Sequence, residues 1–486
     1  MQLNALPGFR DFFPEDLALR SHLFDAMRRV ARRYGFEEYD GPPLEALDLY
    51  TDKSGEEIVA QLYAFTDKGG REVALRPEMT PTLARMVAQR ANGLKKPIRW
   101  FSIPQLFRYE RQQRGRLREH FQLNCDLIGE PGPLGDAEII GLAIDVMREL
   151  GLGAADVRVR LSDRRLLTML LEETGVGTAR QELAFHALDK LGRSESGPRR
   201  KALVAAGVPD PAIEALESFP GIRSLADLER RFPASAVAAG PLRTTIEALE
   251  AMGLGDFIDL DLTIVRGLAY YTGTVFELFD AQRALRAICG GGRYDDLLRR
   301  VGGVDLPALG FGMGDVVLGE LLKERGRAPD APASAEVFLV AATAADRPAV
   351  LGLAHALRDG GLRVEYSLGE EKVGKQLKLA DARRARMAVV LGPEERARHA
   401  AVLKDLRNGS QREVALGGKR LGLFDHPGQE VSHVHLHRGH LHAARLDFRQ
   451  VQHIIDQSEQ VLPVVEDALQ IADVLPVPLR LLCICQ

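Results

Sequence analysis

Cysteine is scarce in this chain: Cys125, Cys289, Cys483 and Cys485 are the only four in 486 residues. Their spacing fits neither a disulfide framework nor a CxxC metal site. Cys125 and Cys289 sit in apolar, strand-like patterns and are expected to be buried thiols. There is no charged-then-apolar leader and no apolar run of membrane-spanning length, so a reducing cytoplasm is the expected compartment. Net basic charge is also missing, the formal balance being -4. That excludes a global positive field, so any contact with nucleic acid must come from local patches. No repeat of solenoid length occurs. With 45% hydrophobic residues, the composition is that of a soluble globular protein, and 486 residues are enough for two or three domains.

The richest segment runs Phe107-Arg108-Tyr109-Glu110-Arg111-Gln112-Gln113-Arg114-Gly115-Arg116-Leu117-Arg118-Glu119-His120-Phe121-Gln122. It lies between the apolar run Ile98 to Ile103 and the alternating run Phe121 to Ile128. This pattern predicts two antiparallel strands joined by an arginine-rich loop. Guanidinium groups are planar, permanently charged donors suited to phosphate. A solvated basic hairpin would show the same pattern, so the neighbouring signals decide. Leu75-Arg76-Pro77-Glu78-Met79-Thr80-Pro81-Thr82 puts an acid and a hydroxyl two residues apart, ahead of a helix over Leu83 to Gln89. Thr263 to Glu277 reads as a strand, an arginine turn at Arg266-Gly267-Leu268-Ala269, the pair Tyr270-Tyr271, and another strand. Gly290-Gly291-Gly292-Arg293-Tyr294-Asp295 leads on to Gly310-Phe311-Gly312-Met313-Gly314.

Together these segments resemble the histidyl-tRNA synthetase family, one of the class II aminoacyl-tRNA synthetases, over roughly Leu3 to Leu416. The Arg-Gly-Leu-x-Tyr-Tyr block is the most specific part. The resemblance implies an α+β fold: a class II antiparallel-sheet core with a helical insertion, followed by an α/β anticodon-binding domain. It implies a homodimer acting on histidine, ATP with Mg2+, and tRNA(His). Histidyl-adenylate would form first and the histidyl group would then pass to tRNA, by in-line geometry and positive charge at the α-phosphate rather than through a covalent enzyme intermediate.

By the same resemblance Arg108 and Arg266 are the catalytic cations, and Arg108, Glu110, Arg116, Arg118, His120, Phe121 and Arg293 bind ATP. Glu110 would orient the adenine amino group or a metal, and His120 or Phe121 would stack on the base. Glu78, Thr80 and Gln122 would accept from the histidine ammonium. Asp126, four residues past Gln122 on one strand face, and Tyr271 would serve the imidazole, with Tyr270 as wall and Arg266 at the carboxylate. Arg111, Arg114, Lys372, Lys375 and Lys378 would meet tRNA. No resident metal site is expected. Four departures stand out, one being His120 where the adenine-stacking phenylalanine is usual. Val317 occupies the position of an arginine that grips the γ-phosphate in the family, and Arg293 is the expected substitute. Ala269 replaces a common aspartate. Asp126 is one methylene shorter than the usual glutamate.

Along the chain, Glu15 to Tyr34 predicts a helix with Leu19, Leu23, Met27, Val30 and Ala31 on one stripe, stopped by Gly35. Phe36 to Leu49, with Pro42-Pro43, reads as extended; an ordinary edge strand and the family's dimer-forming unit both fit. Helices are predicted over Asp136 to Leu150 and Asp315 to Arg325, and a strand over Val157 to Leu161. The core is expected over 1–162 and 256–326, with a helix-rich insertion at 163–255. There Lys190, Arg193, Arg199, Arg200 and Lys201 form either a tRNA contact or a solvated face. Residues 327–333 read as a linker. The alternation over 334–416 predicts βαβαβ with a largely parallel sheet, its second helix carrying Lys372, Lys375, Lys378, Arg383 and Arg384.

The tail 417–486 breaks the pattern. Seven of the twelve histidines fall between His426 and His453, and lysine, tyrosine, methionine, threonine and asparagine are absent after Lys419. A transition-metal site is one reading; a non-homologous extension, even an out-of-frame or read-through terminus, is the expected one. Two other functions would share the core: a non-catalytic regulatory subunit of ATP phosphoribosyltransferase, and a histidine sensor. The βαβαβ module and the basic helix argue for the ligase over both.

Overall fold

The computed structural model describes residues 4–51, 59–110, 115, 117–189, 196–205, 207–265, 271–282, 285–330, 333–416, 420–421 and 434–435. It divides into two compact units, Met1–Pro332 and Ala333–Gln486.

The first unit opens with α1 (Pro14–Arg33). Proline at the first position supplies a helical φ, Glu15 and Asp16 occupy the first turn, and Arg32 and Arg33 the last, an arrangement that complements the helix dipole at both ends. Gly35, at φ +74°, ends it. The predicted stripe is the buried one, with Leu23, Met27, Val30 and Ala31 inaccessible. Then follow β1 (Glu37–Glu38), β2 (Leu44–Ala46), α2 (Asp48–Thr51), β3 (Tyr63–Thr66), β4 (Glu72–Leu75) and α3 (Thr80–Arg90). Next come β5 (Ile98–Ser102), β6 (Gln105–Phe107), β7 (Glu119–Ile128), α4 (Pro133–Glu149) and β8 (Val157–Asp163).

Residues 164–257 hold only helices among those described: α5 (Arg164–Glu173), α6 (Thr178–Asp189), α7 (Ser196–Ala205), α8 (Asp210–Ser218), α9 (Leu225–Arg231), α10 (Gly240–Ala251) and short 3-10 turns. The Asp163 side chain caps α5 by accepting from Arg165 N and Leu166 N. Leu166, Leu167, Leu170 and Leu171 of that helix join the same buried cluster as α1 and α4. The unit closes with β9 (Ile258–Leu260), β10 (Thr274–Asp280), β11 (Cys289–Arg293), α11 (Leu297–Gly302), β12 (Ala308–Gly314) and α12 (Asp315–Glu324).

The main sheet runs β1-β5-β7-β12-β11-β10-β8-β9, with β6 also paired to β7. It is antiparallel except where β1 meets β5 and β8 meets β9. One expected strand is corrected. Thr263–Val265 is not strand, because the Asp261 carboxylate accepts from the backbone and hydroxyl of Thr263 and folds the chain into a turn. The predicted hairpin is observed, divided at Ile103-Pro104: β5 pairs with the far half of β7 and β6 with its near half. Cys125 and Cys289 are both buried, as expected.

The second unit contains β13 (Val337–Ala341), α13 (Arg347–Asp359), β14 (Val364–Tyr366), α14 (Val373–Ala382), β15 (Met387–Leu391), α15 (Pro393–Ala397), β16 (Ala400–Asp405) and β17 (Gln411–Ala415). β13 pairs in parallel with β14 and β15, so the βαβαβ reading holds. The sheet is nonetheless mixed rather than largely parallel, since β16 and β17 extend it as an antiparallel hairpin. The turn residues Asn408-Gly409, with Gly409 at φ +75°, close that hairpin. Apart from two short strand pieces at Arg420–Leu421 and Val434–His435, the tail and its histidine run lie outside the described residues. No helix of the described residues is long and apolar enough to cross a membrane.

Candidate active site

β7 is the axis of the site. Successive side chains of a strand point to opposite faces. His120, Gln122, Asn124 and Asp126 line a cavity of about 380 Å³. Leu123, Cys125 and Leu127 join the core beneath α1 and α4. Strand β12 lies directly against β7, with Gly310 opposite Asp126, Gly312 opposite Asn124 and Gly314 opposite Gln122. These glycines make room for the polar row. A Cβ on Gly312 would stand 2.6 Å from the Gln122 side chain, and one on Gly310 would stand 2.5 Å from Asp126 Oδ1. In β11 a Cβ on Gly292 would meet the Tyr271 ring at 3.0 Å. The glycine-rich runs are therefore a floor without side chains rather than phosphate loops.

At one end of the row Asp126 is buried, and the Tyr294 hydroxyl donates to its carboxylate. Burial pushes the Asp126 carboxyl up to about 7, against the pull of that hydrogen bond. Tyr271 lines the same end. Along the wall, Glu78 and Thr80 project from the start of α3. Their loop is held from behind by buried Arg76, which donates to Gln105 O at 3.0 Å, Gly41 O at 2.7 Å and Asp40 at 2.8 Å. Arg108 lines the cavity and donates from Nε to Pro77 O at 2.9 Å, tying the arginine loop to the loop that carries Glu78. It lies just past the end of β6 rather than on it, its N–H still donating to Arg118 O at 3.0 Å. Glu110 lines the cavity nearby. His120 is held neutral: burial first, then the charges of Arg108 and Arg10, keep its imidazole down at about 3.

The structure thus brings Glu78, Thr80, Arg108, Glu110, His120, Gln122, Asp126 and Tyr271 onto one cavity. Three expectations are corrected. Phe121 points away from the cavity, its ring edge-on to Phe24 at 5.3 Å and Phe12 at 6.1 Å with Arg20 above it, because strand parity puts it opposite His120. Arg293 is 1% exposed and closes on Asp136 at 2.8 Å, Gly132 O at 2.9 Å and Glu130 O at 2.8 Å. It is a structural cation that clamps the start of α4 and substitutes for nothing at Val317. Arg118 stacks over Tyr109 at 4.2 Å instead of lining the cavity. Asp315 is engaged as well, accepting from Phe121 N at 2.9 Å and pairing with Arg10 at 3.0 Å.

Arg111, Arg114, Arg116, Arg266 and Tyr270 lie outside the described residues, as do Lys190 and Arg193 and the side chain of Arg199. Arg200 pairs with Glu217 at 2.8 Å, and Lys201 is exposed. Lys372, Lys375 and Lys378 are exposed along α14, Lys375 pairing with Glu371 at 2.8 Å. The sequence reading missed Gln61, Asn124 and Tyr294 as lining residues. Parity alone would have found Asn124, midway between Gln122 and Asp126.

Comparison with known proteins agrees with this geometry. The family model for histidyl-tRNA synthetase matches residues 8–314, and that for an anticodon binding domain matches residues 336–418. The chain is 46% identical over 417 residues to a histidine–tRNA ligase of Opitutus terrae, covering 85% of this chain and 95% of that one. It is 41% identical over 416 residues to a chloroplastic/mitochondrial histidine–tRNA ligase of Arabidopsis thaliana, covering 86% of each. A crystal structure of histidyl-tRNA synthetase from Nostoc sp. PCC 7120 superposes with a TM-score of 0.75 at 26% identity, over 85% of this chain and 97% of that one.

Proposed function

The chain belongs to the histidyl-tRNA synthetase family, and on that premise we propose how its cavity activates histidine with ATP and passes the histidyl group to tRNA(His). The observation that carries the assignment is the polar row of β7 set against the glycines of β12, with buried Asp126 at its end. Asp126, held by Tyr294, accepts from an imidazole N–H, and Tyr271 closes the other side of the ring. Glu78, Thr80 and Gln122 accept from the ammonium. A wrong side chain would leave these partners unpaired, and such sites discriminate by roughly 10⁴-fold.

Arg108 faces the α-phosphate, and its tie to Pro77 fixes that cation relative to the ammonium site. Neutral His120 stacks on the adenine without adding charge at the base. Arg266 is the second cation at the carboxylate and α-phosphate, with Tyr270 beside it. Arg116 reaches the outer phosphates, and Arg111 and Arg114 reach the tRNA backbone. Mg2+ is bound in such sites by one or two carboxylates together with substrate phosphates. Glu110 fits that part, and the ion would supply charge neutralisation.

The proposed division is a catalytic core over 1–162 and 256–326, a helical insertion over 163–255, a linker over 327–333 and an anticodon-binding domain over 334–416. In that last domain the exposed Lys372, Lys375 and Lys378 contact tRNA. A homodimer is supported by the three-stranded sheet β2-β4-β3, which leaves Leu44 and Phe65 exposed at 37% and 49%. The compartment is the cytoplasm. Histidine-dependent ATP–pyrophosphate exchange tests the reading. Exchange, followed by charging of tRNA(His), is the expected result; histidine binding without exchange would overturn it in favour of a non-catalytic relative.

A further inference from the structure

The cavity has two ends. Asp126 and Gly310 mark one; from there β12 runs through Gly312 and Gly314 into the first turn of α12, where Val316 and Val317 line the other. ATP brings about four negative charges to this space, and adenylation releases three or so of them as pyrophosphate. Arg108 is the one cationic side chain among the described residues lining the cavity, against the carboxylates Glu78, Glu110 and Asp126. The far end has a weak bias toward anions from the N-terminal end of the α12 dipole, but its wall side chain, Val317, is apolar and 8% exposed.

Arg286 stands close to this wall without lining the cavity. A side chain built at Gly115, in the arginine-rich loop, would meet Val317 Cγ2 at 3.2 Å and Arg286 Cδ at 3.9 Å. The two side chains therefore flank the same point. Arg286 is exposed, and the residues after it, Ala287 and Ile288, line the cavity, which places its stem at the rim. Its neighbour Leu285 is buried in the core and anchors the segment. Arg293, seven residues on, is committed to Asp136 and cannot serve.

We propose that Arg286 grips the outer phosphates of ATP, and pyrophosphate after adenylation, at the end of the cavity that Val317 leaves uncharged. This rests on the ligase reading above. A guanidinium on a neighbouring strand approach thereby does from across the rim what a residue on α12 does not.

The test is pyrophosphate exchange by the full chain carrying Arg286→Ala, Arg286→Gln or Arg286→Lys. A charge-assisted contact of this kind is worth about a tenfold or greater change in affinity. KM for ATP and KM for pyrophosphate rise together by about that factor in the Ala and Gln variants, while KM for histidine stays at the wild-type value. Lysine, which keeps the charge, recovers most of the loss. Unchanged KM values for ATP and pyrophosphate in Arg286→Ala would overturn the assignment. So would an equal rise in all three, which marks damage to the fold. If the unaltered chain shows no histidine-dependent exchange, the ligase reading falls and takes this one with it. Normal exchange by the parent with an unselective variant removes the Arg286 assignment alone.

Discussion

The two faces of β7 share one backbone and nothing else. On one, Leu123, Cys125 and Leu127 are sealed under α1 and α4 with neighbours from β5 and β12. On the other, His120, Gln122, Asn124 and Asp126 stand over glycines, and the space they face is left for a substrate. The first face is stabilised by burial, at about 25 cal/mol per Å² of apolar surface removed from water. The second works against stability, since it holds a carboxyl whose charged form burial disfavours. Adjacent residues therefore answer to different requirements: one set keeps the sheet folded and the other gives up stability to recognise a ligand.

Three substitutions break this comparison apart. The largest effect is expected at the floor between the faces. Gly310→Ala places a Cβ 2.5 Å from both Asp126 Oδ1 and Cys125 O, so exchange should fall below detection. Activity within a few-fold of wild type would show that the strand can move aside. Next, Leu123→Ala on the buried face should cost about 2–5 kcal/mol of stability, read as a lowered urea midpoint. KM values for histidine and ATP should hold at temperatures where the variant is folded. A raised histidine KM there would mean that the faces are coupled.

The smallest and most selective effect belongs to Asp126→Asn. Histidine KM should rise by roughly 10–100-fold, the range for a hydrogen bond to a charged group, and ATP KM should barely change. The pH dependence has a definite sign. The folded-state pKa of about 7 lies above the unfolded value, so the folded protein binds the extra proton and loses stability as pH rises from about 4 to about 7. Asn removes that penalty. Its Tm advantage over wild type should grow across this window and level off above it, while wild-type kcat/KM for histidine climbs toward pH 7 as the carboxylate forms. A Tm difference independent of pH would refute the burial account of this carboxyl.

Much of this was legible because period-2 alternation survives in the text. Gln122 and Asp126 share parity, and both reach the cavity. The same rule applied strictly excludes Phe121, whose parity is that of Leu123. Arg293 could not be read, since an arginine after three glycines looks alike whether it meets a phosphate or a carboxylate. Its partner, Asp136, is 157 residues away in sequence. Tyr294 was hidden for the same reason: the bond to Asp126 crosses two strands that are far apart in the chain. The β16–β17 hairpin was missed because its second strand, Gln411–Ala415, has little apolar alternation and is mostly exposed.

A single strand that carries both His120 and Asp126 on the cavity face also acts as a ruler. Six residues at about 3.3 Å each put those two groups about 20 Å apart along the strand, and no loop can stretch or shorten the interval. Inserting or deleting one residue within it would not lengthen the site by a notch. It would reverse the facing of every side chain on one side of the change, turning polar residues toward the core and apolar ones onto the glycines. The interval between the two ends of the polar row is therefore set by the strand itself.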